Sequence, residues 1–214
     1  MRINAYDREY LENAQKNLGN MLDYAVNSLD YDIDRFFEMF IVSGIAEQFG
    51  KGNPTYVVGM TGCELAKKVI AEVGLDRQEC EEEMYLDKSP EYWIGWALAF
   101  YQWHSSISFS KIQKAVPAST VLGMYFTLHE ADITKFISIM DEKMKEYYKD
   151  TNLKRMRTAA GYSQSELARE ADVALRQIQL LEQRQRDINK AQLETVVKLA
   201  RALGCQVEDL VEYL

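Results

Sequence analysis

A chain of 214 residues with 47% hydrophobic and 27% charged residues has the composition of a folded protein with one large domain or two small ones. Its formal net charge of −8 argues against a protein that coats nucleic acid along its whole length. The charge is uneven, however: residues 151–214 carry ten basic and nine acidic side chains, net +1, which leaves net −9 for residues 1–150. Only the C-terminal part would therefore not repel a polyanion.

The cysteines and the hydropathy of the chain do not indicate an exported or membrane-bound protein. Cys63, Cys80 and Cys205 are odd in number and far apart, without the C-x-x-C spacing of a zinc or redox motif. The N-terminal sequence has no apolar signal region, and the longest apolar run, residues 92–103, is shorter than the roughly 20 residues of a membrane span. We therefore expect a soluble cytoplasmic protein without a cofactor.

Apolar residues recur every three or four positions throughout residues 1–150, and no stretch alternates as a half-buried strand does, so we predict an all-α fold. The predicted helices, in chain order, lie at 5–29, at 36–49, from a Thr61–Glu64 capping box to Gly74, from Ser89–Pro90 to Trp103, at 108–116, and along 133–147 with Thr127 and Glu130 as cap. Residues 92–103 are apolar on nearly every side, which predicts a central position for the fourth helix.

Three groups of side chains in this part resemble ligand or metal sites. The aromatic residues of the fourth helix could line a pocket, but a helix that is apolar all round is usually buried, so we expect core for Trp93, Trp96, Phe100, Tyr101 and Trp103. His129 and Asp132 have no third ligand nearby. Asp30, Asp32 and Asp34 resemble the start of a calcium-binding loop. The glycine and the closing glutamate that such a loop requires are missing. We predict no metal site.

Shorter, closely spaced helices follow from residue 152 onward. The pattern predicts helices at about 152–160, 164–171, 174–183, 191–203 and 206–213. Their ends are marked by glycines and capping residues: Gly161, Gly204, a Ser163–Glu166 capping box and an Asn189–Gln192 cap. With a tight turn near Asp172 between the second and third helices, this arrangement presents one helix to a DNA major groove.

The sequence from Asn152 to Leu214 resembles the phage-repressor-type helix-turn-helix family (XRE, Cro/cI-like), which is widespread in bacteria. The resemblance covers the last third of the chain and implies a five-helix, lambda-repressor-like DNA-binding domain. It rests on the run Arg157-x3-Gly161-x-Ser163-Gln164-x2-Leu167-Ala168, on Val173, Ile178 and Glu182, and on the block Leu193-Glu194-Thr195 to Leu199-Ala200-x2-Leu203-Gly204.

The resemblance implies roles for three residues outside the contacts with bases. Gln164, which opens the second helix directly after the Ser163 cap, corresponds to the residue that holds a DNA phosphate, although an exposed helix-start glutamine is the alternative. Arg157 and Glu182 stand where the family has an inward ion pair, which orients the recognition helix and does not contact bases.

In the recognition helix, one face holds Val173, Ile178 and Leu181 and is expected in the core. The groove side then carries Leu175, Arg176, Gln179 and Leu180, with Gln177 at its edge. Arginine pairs bidentately with guanine and glutamine with adenine, so Arg176 and a nearby glutamine are the expected base contacts. Leu175 and Leu180 stand where many relatives carry polar residues, and contact with a thymine methyl or with protein is open for both.

Two positions depart from the family pattern. Ala174 replaces the usual Ser or Thr cap of the recognition helix, and Arg184 stands where a turn glycine is common. A basic loop then follows, and after the resemblance we favour contact with the phosphate backbone over an ordinary solvated surface for Arg184, Gln185, Arg186, Asn189 and Lys190.

The sequence therefore predicts a two-domain, all-α bacterial regulator. Residues 1–150 form an acidic helical domain for dimerisation or for binding a partner or effector, and residues 151–214 form the XRE-type DNA-binding domain. We expect a non-enzymatic repressor that binds double-stranded DNA at a pseudo-palindromic operator as a homodimer.

Two alternatives stay open. In the first, the protein is an antitoxin that neutralises a toxin through its N-terminal domain and autoregulates its operon. In the second, it is an enzyme with a DNA-targeting domain, although no nucleophile with a nearby base can be assembled from two histidines in separate segments.

Overall fold

The computed structural model describes residues 4–75 and 88–212, so Cys80 lies outside the described residues. All regular elements in these ranges are helices, and the prediction of an all-α fold is confirmed. The contacts between Cα atoms divide the chain into two compact units, Met1–Met144 and Lys145–Leu214. Within the described ranges, no helix is both long enough and apolar enough to cross a bilayer.

Unit 1 consists of short and medium-length helices. Their bounds are Leu11–Asp23 (α1), Ile33–Val42 (α2), Ile45–Gly50 (α3), Pro54–Val57 (α4), Gly62–Glu72 (α5), Pro90–Ser105 (α6), Phe109–Ala115 (α7), Ala118–Leu122 (α8), Tyr125–Leu128 (α9) and Ile133–Tyr147 (α10), whose last residues belong to unit 2.

Helices α1 and α6 cross closely at the centre of this unit, because glycines occupy the crossing point. A Cβ atom on Gly95 would lie 2.3 Å from the carbonyl oxygen of Leu18, and one on Gly19 would lie 2.8 Å from the Tyr92 ring. Without these side chains, the two backbones come close enough for the apolar face of α1 to be fully buried. The predicted central position of the fourth helix, α6, is confirmed by this crossing, but α6 is not buried all round: Trp93, Trp96 and Phe100 are half-buried, in contrast to the prediction.

Several predicted boundaries in unit 1 are wrong for local reasons. In place of the first predicted helix, the structure has three consecutive elements: a 3-10 turn Arg8–Tyr10, helix α1 and a π-helical segment Tyr24–Ser28. The second is split into α2 and α3 because Gly44 takes a left-handed φ of 76°. The expected cap Thr127 lies inside α9, and it is Asp132 that accepts a hydrogen bond from the Thr134 backbone N–H at the start of α10.

Other helix ends follow the predicted capping residues. At the start of α5, Thr61 and Glu64 exchange hydrogen bonds of 2.8 and 3.2 Å between backbone N–H groups and side-chain oxygens. Ser89 caps α6, with Pro90 as its first residue. Both predictions are confirmed.

Four α-helices lie wholly within the described residues of unit 2: Asn152–Ala159 (α11), Gln164–Glu170 (α12), Leu175–Glu182 (α13) and Leu193–Leu203 (α14). The predicted fifth helix at 206–213 is wrong, since its described part, residues 206–212, contains only a 3-10 turn, Val207–Asp209. The four helices surround a small apolar core in which Leu167, Ile178, Leu199 and Leu210 are fully buried. Burial of each such side chain contributes about 1.5–3 kcal/mol, so these few residues hold α11 to α14 together.

Candidate nucleic-acid interface

The turn between α12 and α13 sets the direction of α13, the predicted recognition helix. Ser163 and Glu166 form the predicted capping box of α12. Hydrogen bonds from the Ser163 side chain, and to a smaller extent from its backbone, lower the pKa of the Glu166 carboxyl. After α12, Asp172 adopts a left-handed φ of 50° in the short connection that leads to α13. Helix α13 then begins after Ala174, which makes no side-chain cap.

Arg157 and Glu182 fix α13 from the inside. The Arg157 Nε and Nη2 atoms lie 2.6 and 3.1 Å from the two Glu182 carboxylate oxygens, and the two side chains are only 12% and 2% exposed. A third Arg157 donor, Nη1, reaches the carbonyl oxygen of Tyr162 at 2.6 Å. This bidentate, nearly buried pair ties the C-terminal end of α13 to α11, as the resemblance implies.

Gln164, predicted to hold a phosphate, takes part in the same network. Its Nε2 atom donates to Glu182 Oε2 at 2.7 Å. An amide nitrogen carries two N–H groups, so one remains for a phosphate oxygen at the start of α12. The bond to Glu182 therefore orients the amide without using up its donors.

The predicted base contacts of α13 differ in exposure. Arg176 is exposed, and Leu175 is 37% exposed beside it in the first turn. Gln179 and Leu180 are half-buried, and Gln177 is half-buried with its Nε2 atom 3.4 Å from Thr195 Oγ1. The opposite face of the helix carries Ile178 and Leu181, both buried as predicted.

Arg184, predicted to contact a phosphate, is engaged within unit 2. Its Nη1 and Nη2 atoms donate to the carbonyl oxygens of Lys149 and Tyr148 at 2.7 and 2.8 Å, and Nη2 lies 3.4 Å from Glu212 Oε2. Its backbone has a left-handed φ of 54°, which explains why a glycine is common at this position of the family. The guanidinium thus joins the chain segment that precedes α11 to the end of α13.

The other side chains of the loop differ in their hydrogen-bond partners. Asn189 was predicted to cap α14 together with Gln192, and that prediction is wrong: Asn189 lies in a 3-10 turn, Ile188–Lys190, and its side chain bonds both backbone groups of Glu212. Gln185 and Arg186 are exposed, and Lys190 is 85% exposed with a 3.5 Å ion pair to Asp187. The loop therefore presents Gln185, Arg186 and Lys190 to solvent.

Two residues of this network did not emerge from the sequence. Tyr162 contributes only a backbone carbonyl, which no side-chain pattern reports. Glu212 accepts from Asn152 N–H at 2.5 Å as well as from Arg184, and it lies in a segment that was predicted as helix. The available signal was an arginine in place of the usual turn glycine.

Comparison with known proteins agrees with this geometry. Residues 153–210 match the model of the family described as helix-turn-helix, so the resemblance to the XRE, Cro/cI-like type is confirmed for the C-terminal region. No curated protein and no solved structure matches the chain. The C-terminal region is a helix-turn-helix domain of the XRE type, and this domain supports binding to double-stranded DNA and a role in transcription regulation.

Proposed function

We propose that the protein is a transcriptional repressor that binds a pseudo-palindromic operator as a homodimer. The observation that carries the proposal is the polarity of α13. Ile178 and Leu181 bury one face, Arg157 and Glu182 lock its end, and Arg176 stands exposed in its first turn. A helix held in this way presents its N-terminal residues to the base edges of a major groove.

The base contacts follow from side-chain chemistry and exposure. We assign Arg176 to a guanine, whose O6 and N7 atoms accept its two parallel donors. Gln179 and Gln177 are the candidates for an adenine, and Gln177 would first exchange its long bond to Thr195 for a base. Leu175, exposed next to Arg176, suits a thymine methyl, whereas the half-buried Leu180 is the weaker candidate.

The phosphate contacts position the domain without reading sequence. Gln164 retains one amide donor at the start of α12, and Gln185, Arg186 and Lys190 are exposed in the loop after α13. Arg184 and Asn189 form hydrogen bonds inside unit 2, and we propose that they hold this loop in place. Any phosphate contact of their own would come in addition to that role.

The proposal of a homodimer is supported by the small size of the surface that contacts bases. One helix contacts only a few base pairs, so useful specificity requires two domains on half-sites about one helical turn apart. Operator occupancy by such a dimer blocks polymerase. We place this activity in the bacterial cytoplasm, at the nucleoid.

DNA titrations with matched arginine variants test the proposal. On the preferred fragment from a genomic pool, Arg176→Ala is expected to weaken binding by about 1–3 kcal/mol and to flatten the preference at one base position. Arg201→Ala is the control, because Arg201 is an exposed arginine of the same unit, on α14 and outside the proposed contacts. Equal affinity of wild type and Arg176→Ala, on every fragment, would overturn the assignment of α13 as the recognition helix.

An antitoxin role is the second candidate, favoured by the net charge of −9 in residues 1–150, which suits a basic protein partner. Co-expression with the product of the neighbouring gene distinguishes the two, since an antitoxin forms a stable complex with it and restores growth. We propose no enzymatic activity. His129, one of the two histidines, bonds the Tyr125 carbonyl through Nδ1.

A further inference from the structure

An open groove in unit 1 combines aromatic walls with a cationic rim. It lies between α6, α9 and the start of α10 and encloses about 360 Å³, within the usual size range of small-molecule sites. Its lining includes Lys88, Tyr92, Trp93, Trp96, Tyr125 and His129. Among these aromatic side chains are Trp93 and Trp96, for which the sequence pattern predicted positions in the core.

The walls of the groove are held in place by contacts beneath them. Trp93 packs edge-to-face on the buried ring of Phe136, with 5.6 Å between ring centroids, and edge-to-face on Tyr125 at 5.7 Å. His129 stacks on Tyr125 at 4.5 Å, and its Nδ1 atom lies 2.8 Å from the Tyr125 carbonyl oxygen. The aromatic surfaces are thus preorganised, which reduces the entropy lost when a flat ligand binds.

Lys88 is the one lysine among the described residues that line the groove. The Lys88 ammonium lies 4.1 Å above the Tyr92 ring, on an exposed side chain. The described residues that line the groove include no carboxylate. The adjacent acid, Glu130, lies 3.6 Å from His129 Nε2 with its side chain 90% exposed to solvent. A ligand that lies on the aromatic walls therefore meets a positive charge at their edge.

We propose that this groove binds a small planar aromatic carboxylate, with the ring against Trp93 and Trp96 and the carboxylate paired with Lys88. A cationic ligand fits less well, because the Tyr92 face is already covered by the Lys88 ammonium. The proposal goes beyond the DNA-binding function and does not depend on it, since binding is measured without DNA. Such a ligand would be a metabolite that acts as an effector of the protein.

Calorimetric titration of the full chain tests the proposal, with 2-naphthoate and its uncharged amide as a matched pair of probes. We expect 2-naphthoate to bind with a dissociation constant on the order of 0.1–1 mM and to be preferred over the amide. Lys88→Met keeps the length of the side chain and removes its charge. It is expected to weaken 2-naphthoate about five- to tenfold and to leave the amide unchanged.

Two further variants distinguish the contribution of the Lys88 charge to binding from that of the aromatic wall. Lys51→Met, at an exposed lysine outside the groove, is the control and should leave both affinities unchanged. Trp96→Leu should weaken acid and amide alike, because it removes part of the wall. The proposal is overturned if 2-naphthoate does not bind at millimolar concentration, if acid and amide bind equally, or if Lys88→Met and Lys51→Met have the same affinity for the acid.

Discussion

Arg184 combines an unfavourable backbone conformation with a well-satisfied side chain. A non-glycine residue with φ of 54° costs about 1 kcal/mol or more relative to glycine. Its guanidinium offsets this cost through the carbonyl oxygens of Tyr148 and Lys149 and the Glu212 carboxylate. A lysine at the same position keeps the positive charge but cannot reach two carbonyls with a planar fork. Charge and geometry can therefore be separated at this residue.

We predict that Arg184→Lys and Arg184→Ala both lower the free energy of unfolding of unit 2 by about 1–2 kcal/mol, because both lose the forked hydrogen bonds. Urea unfolding measures this loss. If Arg184 serves a phosphate instead, Arg184→Lys keeps the wild-type salt slope of DNA binding and near wild-type stability, and only Arg184→Ala changes the slope. That result would contradict the structural role.

The pair of Arg157 and Glu182 leads to a second prediction at this scale. Glu182→Gln leaves a nearly buried guanidinium without its counter-charge, so we expect a loss of about 3–5 kcal/mol in the free energy of unfolding. The double variant Arg157→Met with Glu182→Leu removes both charges and is expected to recover most of that loss. Chemical denaturation of the three proteins provides the comparison. A double variant less stable than Glu182→Gln would show that the pair itself, and not the orphaned charge, provides the stability.

At the scale of helices, features that depend on neighbouring residues could be predicted from the sequence. Features that depend on the tertiary structure could not. The capping boxes at Thr61 and Ser163 were predictable because all their atoms lie within four residues. The break at Gly44 was not, since an isolated glycine is tolerated inside many helices. The exposure of Trp93 and Trp96 depends on which helices cover α6, and that is a tertiary property.

The same distinction holds for the candidate site. The inward position of Arg157 and Glu182 came from the resemblance, which already includes tertiary contacts. The hydrogen bonds of Arg184 and Asn189 to residues 148–149 and 212 join segments that are distant in sequence, so no local pattern predicts them. Composition alone therefore predicted a uniform basic loop. In the structure, Arg184 and Asn189 form hydrogen bonds within unit 2, whereas Gln185, Arg186 and Lys190 face solvent.

Helix α13 lacks a side-chain cap, and this leads to a prediction at the same scale. Ala174 is exposed and has the extended backbone that a capping residue adopts, with φ −58° and ψ 131°. Ala174→Ser should therefore raise the free energy of unfolding by about 1 kcal/mol, because its oxygen can accept an orphan N–H of the first turn. Thermal unfolding measures the gain, and Ala174→Val, which offers no acceptor, is the control. Equal stability of the serine and valine variants would contradict it.

At the scale of the whole molecule, charge separates the two parts of the chain. Residues 1–150 carry net −9 and residues 151–214 net +1, so a polyanion is repelled by one part and not by the other. The DNA-binding part thus has little net attraction for DNA, and its affinity must come from a few well-placed cations. The salt dependence of DNA affinity should therefore be modest for each bound domain. Its total size can then be used to count the domains that are bound.

Arg186 makes that count possible. It is exposed in the loop after α13, and one phosphate contact contributes a slope of about −0.9 in a plot of log affinity against log salt. A homodimer with both domains on DNA loses two such contacts in Arg186→Ala, so the slope should fall in magnitude by about 1.8, against about 0.9 for a single bound domain. Arg201→Ala, on α14, should leave the slope unchanged. Footprinting on the same fragment gives an independent count, with two protected half-sites about 10 base pairs apart for a dimer. A slope change near 0.9 together with one protected half-site would mean that one domain binds alone, and specificity would then have to come from a partner.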